Sequence, residues 1–181
     1  MVLRLDDPRI RAADDPVLFA ERDLAVAVTG HRPDKIGGYS ALDPQRCWIK
    51  QQLRAYLLES DPAYTISGMA LGVDQDWAQV SVDLGIPFVA AIPFVGQEGK
   101  WPTNSRAAYH TLLARAQRIV IVSPGGYASW KMQTRNEWMV DHCGRLVAVW
   151  DGTAGGTGNC VAYAQRVARN MHRINPSDWQ P

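Results

Sequence analysis

Little in this sequence points to covalent cross-links or a structural metal. Its 181 residues include three cysteines, Cys47, Cys143 and Cys160. They are odd in number, far apart and without C-x-x-C spacing. That argues against a zinc site and suits a reducing compartment. Three buried or half-buried thiols are the expectation, with no metal ligands. No apolar run reaches membrane-spanning length, so no membrane association is expected. The N-terminal stretch MVLRLDDPRIRAADDPVLFAERD carries acids throughout and lacks a basic region followed by an apolar core, so it is not a secretory signal and a cytoplasmic location is expected. Surplus charge of either sign is missing too. Lys plus Arg number 19 and Asp plus Glu 18, which gives no cationic footprint for bulk nucleic-acid binding. Nucleic acid is therefore not expected as a partner. Two nucleotide signatures are also absent. No G-x-G-x-x-G opens a helix, which argues against an NAD(P) dehydrogenase, and no G-x-x-x-x-G-K-[ST] marks a P-loop.

What remains has the composition of an ordinary globular domain, 46% apolar and 20% charged. Residues 1–22 read as an N-terminal arm and 23–181 as a single domain. From residue 24 short apolar runs alternate with amphipathic stretches. The runs cover 24–29, 63–67, 86–92, 118–123 and 145–150, with a weak one at 171–174. They are too short for helices, rich in Val and Ile, and apolar on both faces, as in a parallel sheet covered on both sides. Asp43-Pro44 supplies an N-cap and a first-position proline, followed by Ile49, Leu53, Tyr56 and Leu57 at helical spacing. Val73, Trp77, Val80 and Leu84 mark a second helix that Gly85 stops. Further helices are predicted over 104–115, 133–142 and 159–169. The alternation predicts a doubly wound α/β domain with a mostly parallel sheet and helices on both faces. In such sheets ligands bind beyond the carboxyl ends of the strands, where strand order reverses.

The strand-end loops carry the chemistry. After the first run come Thr29, Gly30, His31, Arg32 and Pro33, then Lys35 and Gly37-Gly38. After the second come Ser67, Gly68 and Gly72, small residues that let a ligand reach free backbone N–H groups at a helix start. Asp74 sits in that helix's first turn, either as a helix-dipole charge or as an acceptor for a sugar hydroxyl. After the fifth run, WDGTAGGTGN is a second glycine-rich turn, with Thr153 and Thr157 as phosphate donors. Trp101, Trp130 and Trp150 fall on loops of the same kind, where a stacked base would gain about 1–3 kcal/mol, although capping the sheet is the commoner role of such a residue.

These blocks together resemble the SLOG superfamily, which includes the DNA-processing protein A domain and the "lonely guy" phosphoribohydrolases, and most closely its YpsA-like family. The residues that carry the resemblance are TGHRP (29–33) with GGY (37–39), SGMALGVDQ (67–75), PF (93–94) with QEGKW (97–101), QTRNEWMVD (133–141) and AVWDGTAGGTGN (148–159). It covers about residues 24–175. It implies a modified Rossmann fold that binds a nucleotide or nucleotide-derived molecule, and it fixes no cofactor beyond that ligand. It implies a site built from Gly30, His31 and Arg32, from Ser67, Gly68, Gly72 and Asp74, from Pro93 and Trp101, from Arg135 and Asn136, and from Asp151, Gly155, Gly156 and Thr157. A homo-oligomer, a dimer first, is implied as well, and a protein partner is left open. The phosphoribohydrolases place a catalytic glutamate after their G-G-x-G-T turn. Here Cys160 stands in that region, and a thiol replaces a carboxylate acid/base poorly. His31, Asp74 and Glu137 remain the catalytic candidates. The expectation is therefore binding or sensing of a nucleotide-type molecule. Nucleotide cleavage is the alternative, and single-stranded DNA binding ranks below it.

Overall fold

The computed structural model describes residues 4–180. Seven strands form one sheet in the order β1-β5-β4-β3-β2-β6-β7, and every neighbouring pair is parallel. The strands are β1 (Ile10–Arg11), β2 (Ala25–Gly30), β3 (Tyr64–Ser67), β4 (Phe88–Ile92), β5 (Arg118–Ile121), β6 (Arg145–Val149) and β7 (Asn170–Ile174). The helices are α1 (Pro16–Ala20), α2 (Pro44–Ser60), α3 (Val73–Asp83), α4 (Thr103–Leu113), α5 (Trp130–Asp141) and α6 (Gly156–Arg166). This is the doubly wound α/β architecture that the alternating pattern predicts.

Alternation within a strand decides which layer each side chain joins. In β2, Val26 and Val28 pack with Ile49 and Leu53 of α2 and with Val73 and Trp77 of α3. The intervening Ala25 and Ala27 turn to the other face, against Met139 of α5 and Cys160 and Ala164 of α6. The small alanines let those two helices lie close on the sheet. Tyr109, Leu112 and Leu113 of α4 complete the first face over Phe88, Ala90 and Ile119. Asp43 caps α2 by accepting from the Arg46 amide at 3.1 Å, with Pro44 at the first position, as the sequence predicts.

The arm supplies what the periodicity did not. Ile10 and Arg11 add a parallel edge strand to β5, and two residues are too few to show a period. Arg9 donates to the carbonyls of Leu113, Ala114 and Ala116, occupying acceptors that the end of α4 leaves open. Trp138 Nε1 donates to the Ala13 carbonyl at 2.7 Å. The arm therefore packs on the body of the domain, with only Leu18 of α1 fully inside the core.

Strand order reverses between β2 and β6. From β2 the chain moves outward through β3 and β4 to β5, then α5 carries it back across to β6 on the other side of β2. The loops after β2 and β6 thus diverge at one place above the sheet, which is where a ligand crevice opens in this architecture.

Among the described residues Trp77 is the largest fully buried side chain, and none of them offers an acceptor to its indole N–H. Trp77→Ala should lose about 3–5 kcal/mol in chemical denaturation. Trp77→Phe should lose clearly less, because it keeps most of the packing and removes an unpaired buried donor.

Candidate functional site

The crevice is a cleft of about 270 Å³ at the reversal point. Its walls come from the end of β2 and the loop after it (Thr29, Gly30, His31, Arg32, Asp34, Lys35), from Ala70 and Asp74 around the start of α3, from Met132, Arg135 and Asn136 of α5, and from Thr153 to Gly158 at the start of α6.

The two diverging loops are tied together across the reversal point. His31 is buried, and its Nε2 lies 2.7 Å from Asp151 Oδ1. A carboxylate can only accept, so Nε2 carries the proton, and the Asp151 amide 3.2 Å away does not donate to it. Asp151 Oδ1 also accepts from the Thr153 amide at 2.9 Å and hydroxyl at 2.7 Å. The Thr153 hydroxyl and amide, and then His31, hold the Asp151 carboxyl well below the usual carboxylate range. Lys35 Nζ donates to Thr153 Oγ1 at 2.8 Å and closes the bridge from the other loop.

A buried ion pair forms the back wall. Arg135 donates through Nη1 to the Gly68 carbonyl and through Nε to Asn136 Oδ1 at 3.0 Å. Its Nη1 lies 3.6 Å from Asp74 Oδ2, which also accepts from the Ala70 amide at 3.2 Å. Burial pushes the Asp74 carboxyl up, while Arg135 and then Arg32 pull it back. Burial also pulls the Arg135 guanidinium down, and Asp74 opposes that. Asn136 continues the chain by donating from Nδ2 to the Gly156 carbonyl at 3.3 Å. A Cβ on Gly68 would overlap the Arg135 guanidinium, so the glycine makes room for this cation. Gly72 has φ +94°, and a Cβ there would fall 2.5 Å from the His31 carbonyl. That residue joins the first loop to α3 at a distance only glycine permits.

The front of the cleft carries backbone and guanidinium donors, and the exposed Asp34 lines it as well. Helix α6 begins at Gly155-Gly156 with no side chain among the described residues capping it, which leaves its first amides as free donors. Arg32 is exposed on the facing loop and makes no hydrogen bond or ion pair among the described residues.

Of the residues singled out in the sequence, Gly30, His31, Arg32, Asp74, Arg135, Asn136, Gly155, Gly156 and Thr157 line this cleft. Ser67, Gly68, Gly72 and Asp151 stand behind it. Ser67 Oγ donates to the Asp74 carbonyl at 2.7 Å and accepts from the Met69 amide. Pro93 lies buried beyond β4, and Trp101 packs edge-on against Tyr109 over α4, so neither reaches the cleft. Trp150 is held beneath the start of α6, where its Nε1 donates to the Thr153 carbonyl. Glu137 accepts from Gln133 on its own helix and does not line the cleft. Cys160 is fully buried, and burial pushes its thiol up to about 11. Met132 and Lys35 line the cleft without having been singled out as site residues. A methionine in an amphipathic helix carries no sequence signal for such a role. Among the described residues no His/Cys/Asp/Glu group could hold a metal ion. None of their helices is long and apolar enough to cross a membrane.

The family model for YpsA, described as the YspA SLOG family, matches residues 26–177. The chain belongs to this family. Among relatives of this SLOG chain, the SPbeta prophage-derived protein YoqJ of Bacillus subtilis is 33% identical over 61% of the chain and 75% of its own length. A UPF0398 protein of Halalkalibacterium halodurans is 26% identical over 84% of each. The fold is shared with DNA processing protein A from Helicobacter pylori, at TM-score 0.63 and 18% identity over 91% of this chain and 74% of that one. It is shared too with DNA processing protein A from Streptococcus pneumoniae, at TM-score 0.60 and 16% identity over 87% of this chain. The SLOG chain spans about half, 51%, of that second protein.

This similarity overturns the expectation that nucleic acid is an unlikely partner. The Helicobacter protein is described by its single-stranded DNA binding mode. The physical reason for the error is that net charge averages over the whole surface. A balanced total does not show where charges gather, and Arg32, Lys35 and Arg135 line one cleft together with Asp34 and Asp74.

The Asp151 bridge should make stability depend on acid. Its depressed carboxyl contributes stability that is fully present above the unfolded carboxylate range, near 4, and is lost as pH falls below it. Melting temperature measured from pH 7 down to pH 2 should fall less steeply in Asp151→Asn than in the native chain.

Proposed function

We infer that this protein binds a nucleotidyl group in the cleft, and that the group can be carried by a single-stranded nucleic acid as well as by a free nucleotide. The observation that carries this reading is the uncapped start of α6 facing the unpaired Arg32 at the strand-order reversal. Free amides at a helix N-terminus and one exposed guanidinium form a phosphate site without further help. Asp74 stands on the opposite side, with Oδ2 engaged by Ala70 and Arg135 and Oδ1 without a protein donor among the described residues. That oxygen suits a sugar hydroxyl. Met132 and Ala70 offer apolar surface to a base. Family membership supports a nucleotide-related ligand, and the fold shared with DNA processing protein A supports the nucleic-acid carrier.

A second reading rests on Asp74. A buried carboxyl held above its usual range in a cleft is a candidate acid/base. Turnover of a nucleotide that Asp74→Asn abolishes while binding persists would establish it. Intact nucleotide after long incubation with the native protein would dismiss it.

Thermal melting against nucleoside mono-, di- and triphosphates and short oligothymidylates tests the binding reading. A ligand at 100 times its dissociation constant adds about 2.7 kcal/mol, which for a chain of this size raises the melting temperature by about 5–10 °C. Arg32→Ala should abolish the shift without changing the melting temperature of the free protein. A flat response to every phosphate-bearing compound would sink the proposal.

A further inference from the structure

Two acceptors in the walls of the cleft have no donor to meet them. His31 and Asp74 are each 5% exposed, and both line the cleft. His31 gives its Nε2 proton to Asp151. The lone pair of the neutral ring then lies on Nδ1, which has no partner among the described residues and is not closed off from solvent. Asp74 engages Oδ2 with the Ala70 amide and Arg135, and its Oδ1 has no protein donor among the described residues. A carboxylate paired with a guanidinium accepts and cannot donate.

Both groups are held in place. The Thr153 amide and hydroxyl fix Asp151, which holds the imidazole from behind. The Val73 amide donates to the His31 carbonyl at 3.3 Å and ties the histidine backbone to the residue before Asp74. Ser67 Oγ donates to the Asp74 carbonyl at 2.7 Å. Neither acceptor is spent by the rest of the cleft, so a ligand that brings donors gains from both.

Three parts of a nucleotide compete for these atoms. A phosphate near neutral pH offers acceptors, and Asp74 repels it. Base amino groups are donors, but the base is joined to the phosphate only through the sugar. The sugar is the part bonded directly to the phosphate. Arg32 and the first amides of α6 offer the phosphate an anchor in the same cleft of about 270 Å³, so the sugar hydroxyls are the donors nearest that anchor.

We propose that His31 Nδ1 and Asp74 Oδ1 receive the two vicinal hydroxyls of a ribose, so that the cleft selects a ribonucleotide with a free diol over its deoxy counterpart. This selection rests on the cleft reading and deepens it by naming the sugar. A free ribonucleotide carries such a diol, and so does the 3′-terminal nucleotide of an RNA strand.

Calorimetry at fixed salt and pH tests the selection with adenosine and uridine 5′-monophosphates and their 2′-deoxy and 3′-deoxy forms. Each ribonucleotide should bind at least about tenfold more tightly than either of its deoxy forms, with adenine and uracil alike. Asp74→Asn and His31→Gln should each bring the ratio of ribo to deoxy affinity toward one, with melting temperature as the check on folding. A uridylate pentamer with a free terminal diol, set against the same pentamer closed by a 3′-phosphate, separates the two sources. Tighter binding of the open pentamer adds the strand end, and equal weak binding of both restricts the site to the free ribonucleotide. Equal affinity of the native chain for ribo and deoxy forms overturns the selection and leaves the cleft reading in place. A preference seen with one base alone overturns it too, by assigning the acceptors to a base amino group. An unchanged ratio in both variants, folded as the native chain is, removes His31 and Asp74 from the role. Failure of every nucleotide to bind defeats both readings.

Discussion

The cleft depends on one buried cation. Arg135 reaches from α5 under the end of β3, where it bonds the Gly68 carbonyl, pairs with Asp74 at the start of α3 and orients Asn136 toward α6. A buried guanidinium is costly unless its donors are met, and here the partners come from three separate elements. The requirement to satisfy it therefore fixes how β3, α3 and α5 meet. The glycines of the second loop follow from the same demand, since a side chain at Gly68 would occupy the space the guanidinium needs.

A second set of contacts serves the opening rather than the back wall. The His31, Asp151, Thr153 and Lys35 chain spans the gap left where the strand order reverses. It engages His31 Nε2 and Asp151 Oδ1 and leaves Arg32 and the first turn of α6 free among the described residues. The cleft thereby separates groups that hold its shape from groups that remain to bind. Cys160 belongs with the former, as a protonated thiol packed behind α6, where it offers no acid/base function near neutral pH.

Much of the fold was legible. Six of the seven strands follow from short Val- and Ile-rich runs, and the helices between them from spacing and from the Asp43-Pro44 cap. The helix starts at 130 and 156 fall three residues before those the pattern suggests, because their first turns carry Trp, Lys, Gly and Thr rather than a periodic apolar face. The edge strand at Ile10–Arg11 carried no signal, being fixed by its pairing with β5 rather than by its own sequence. Placing Trp101 at the cleft failed for a related reason. An aromatic on a strand-end loop has no intrinsic direction, and Trp101 packs against Tyr109 and the apolar cluster between α4 and strands β4 and β5.

The sequence by itself determined the alternation of strand and helix and the loops on which polar chemistry would gather, because both are written in local periodicity and in glycine, proline and capping residues. Only the tertiary structure decided which loops share a cleft. Residues 31 and 151, or 68 and 135, are far apart along the chain and meet through strand order, which no local pattern encodes. It also decided which side chains are spent on one another and which stay free, since hydrogen bonding is settled between neighbours in space. That is why His31 Nε2 and Asp151 Oδ1 are spent on each other while Arg32, on the same loop as His31, has no partner among the described residues.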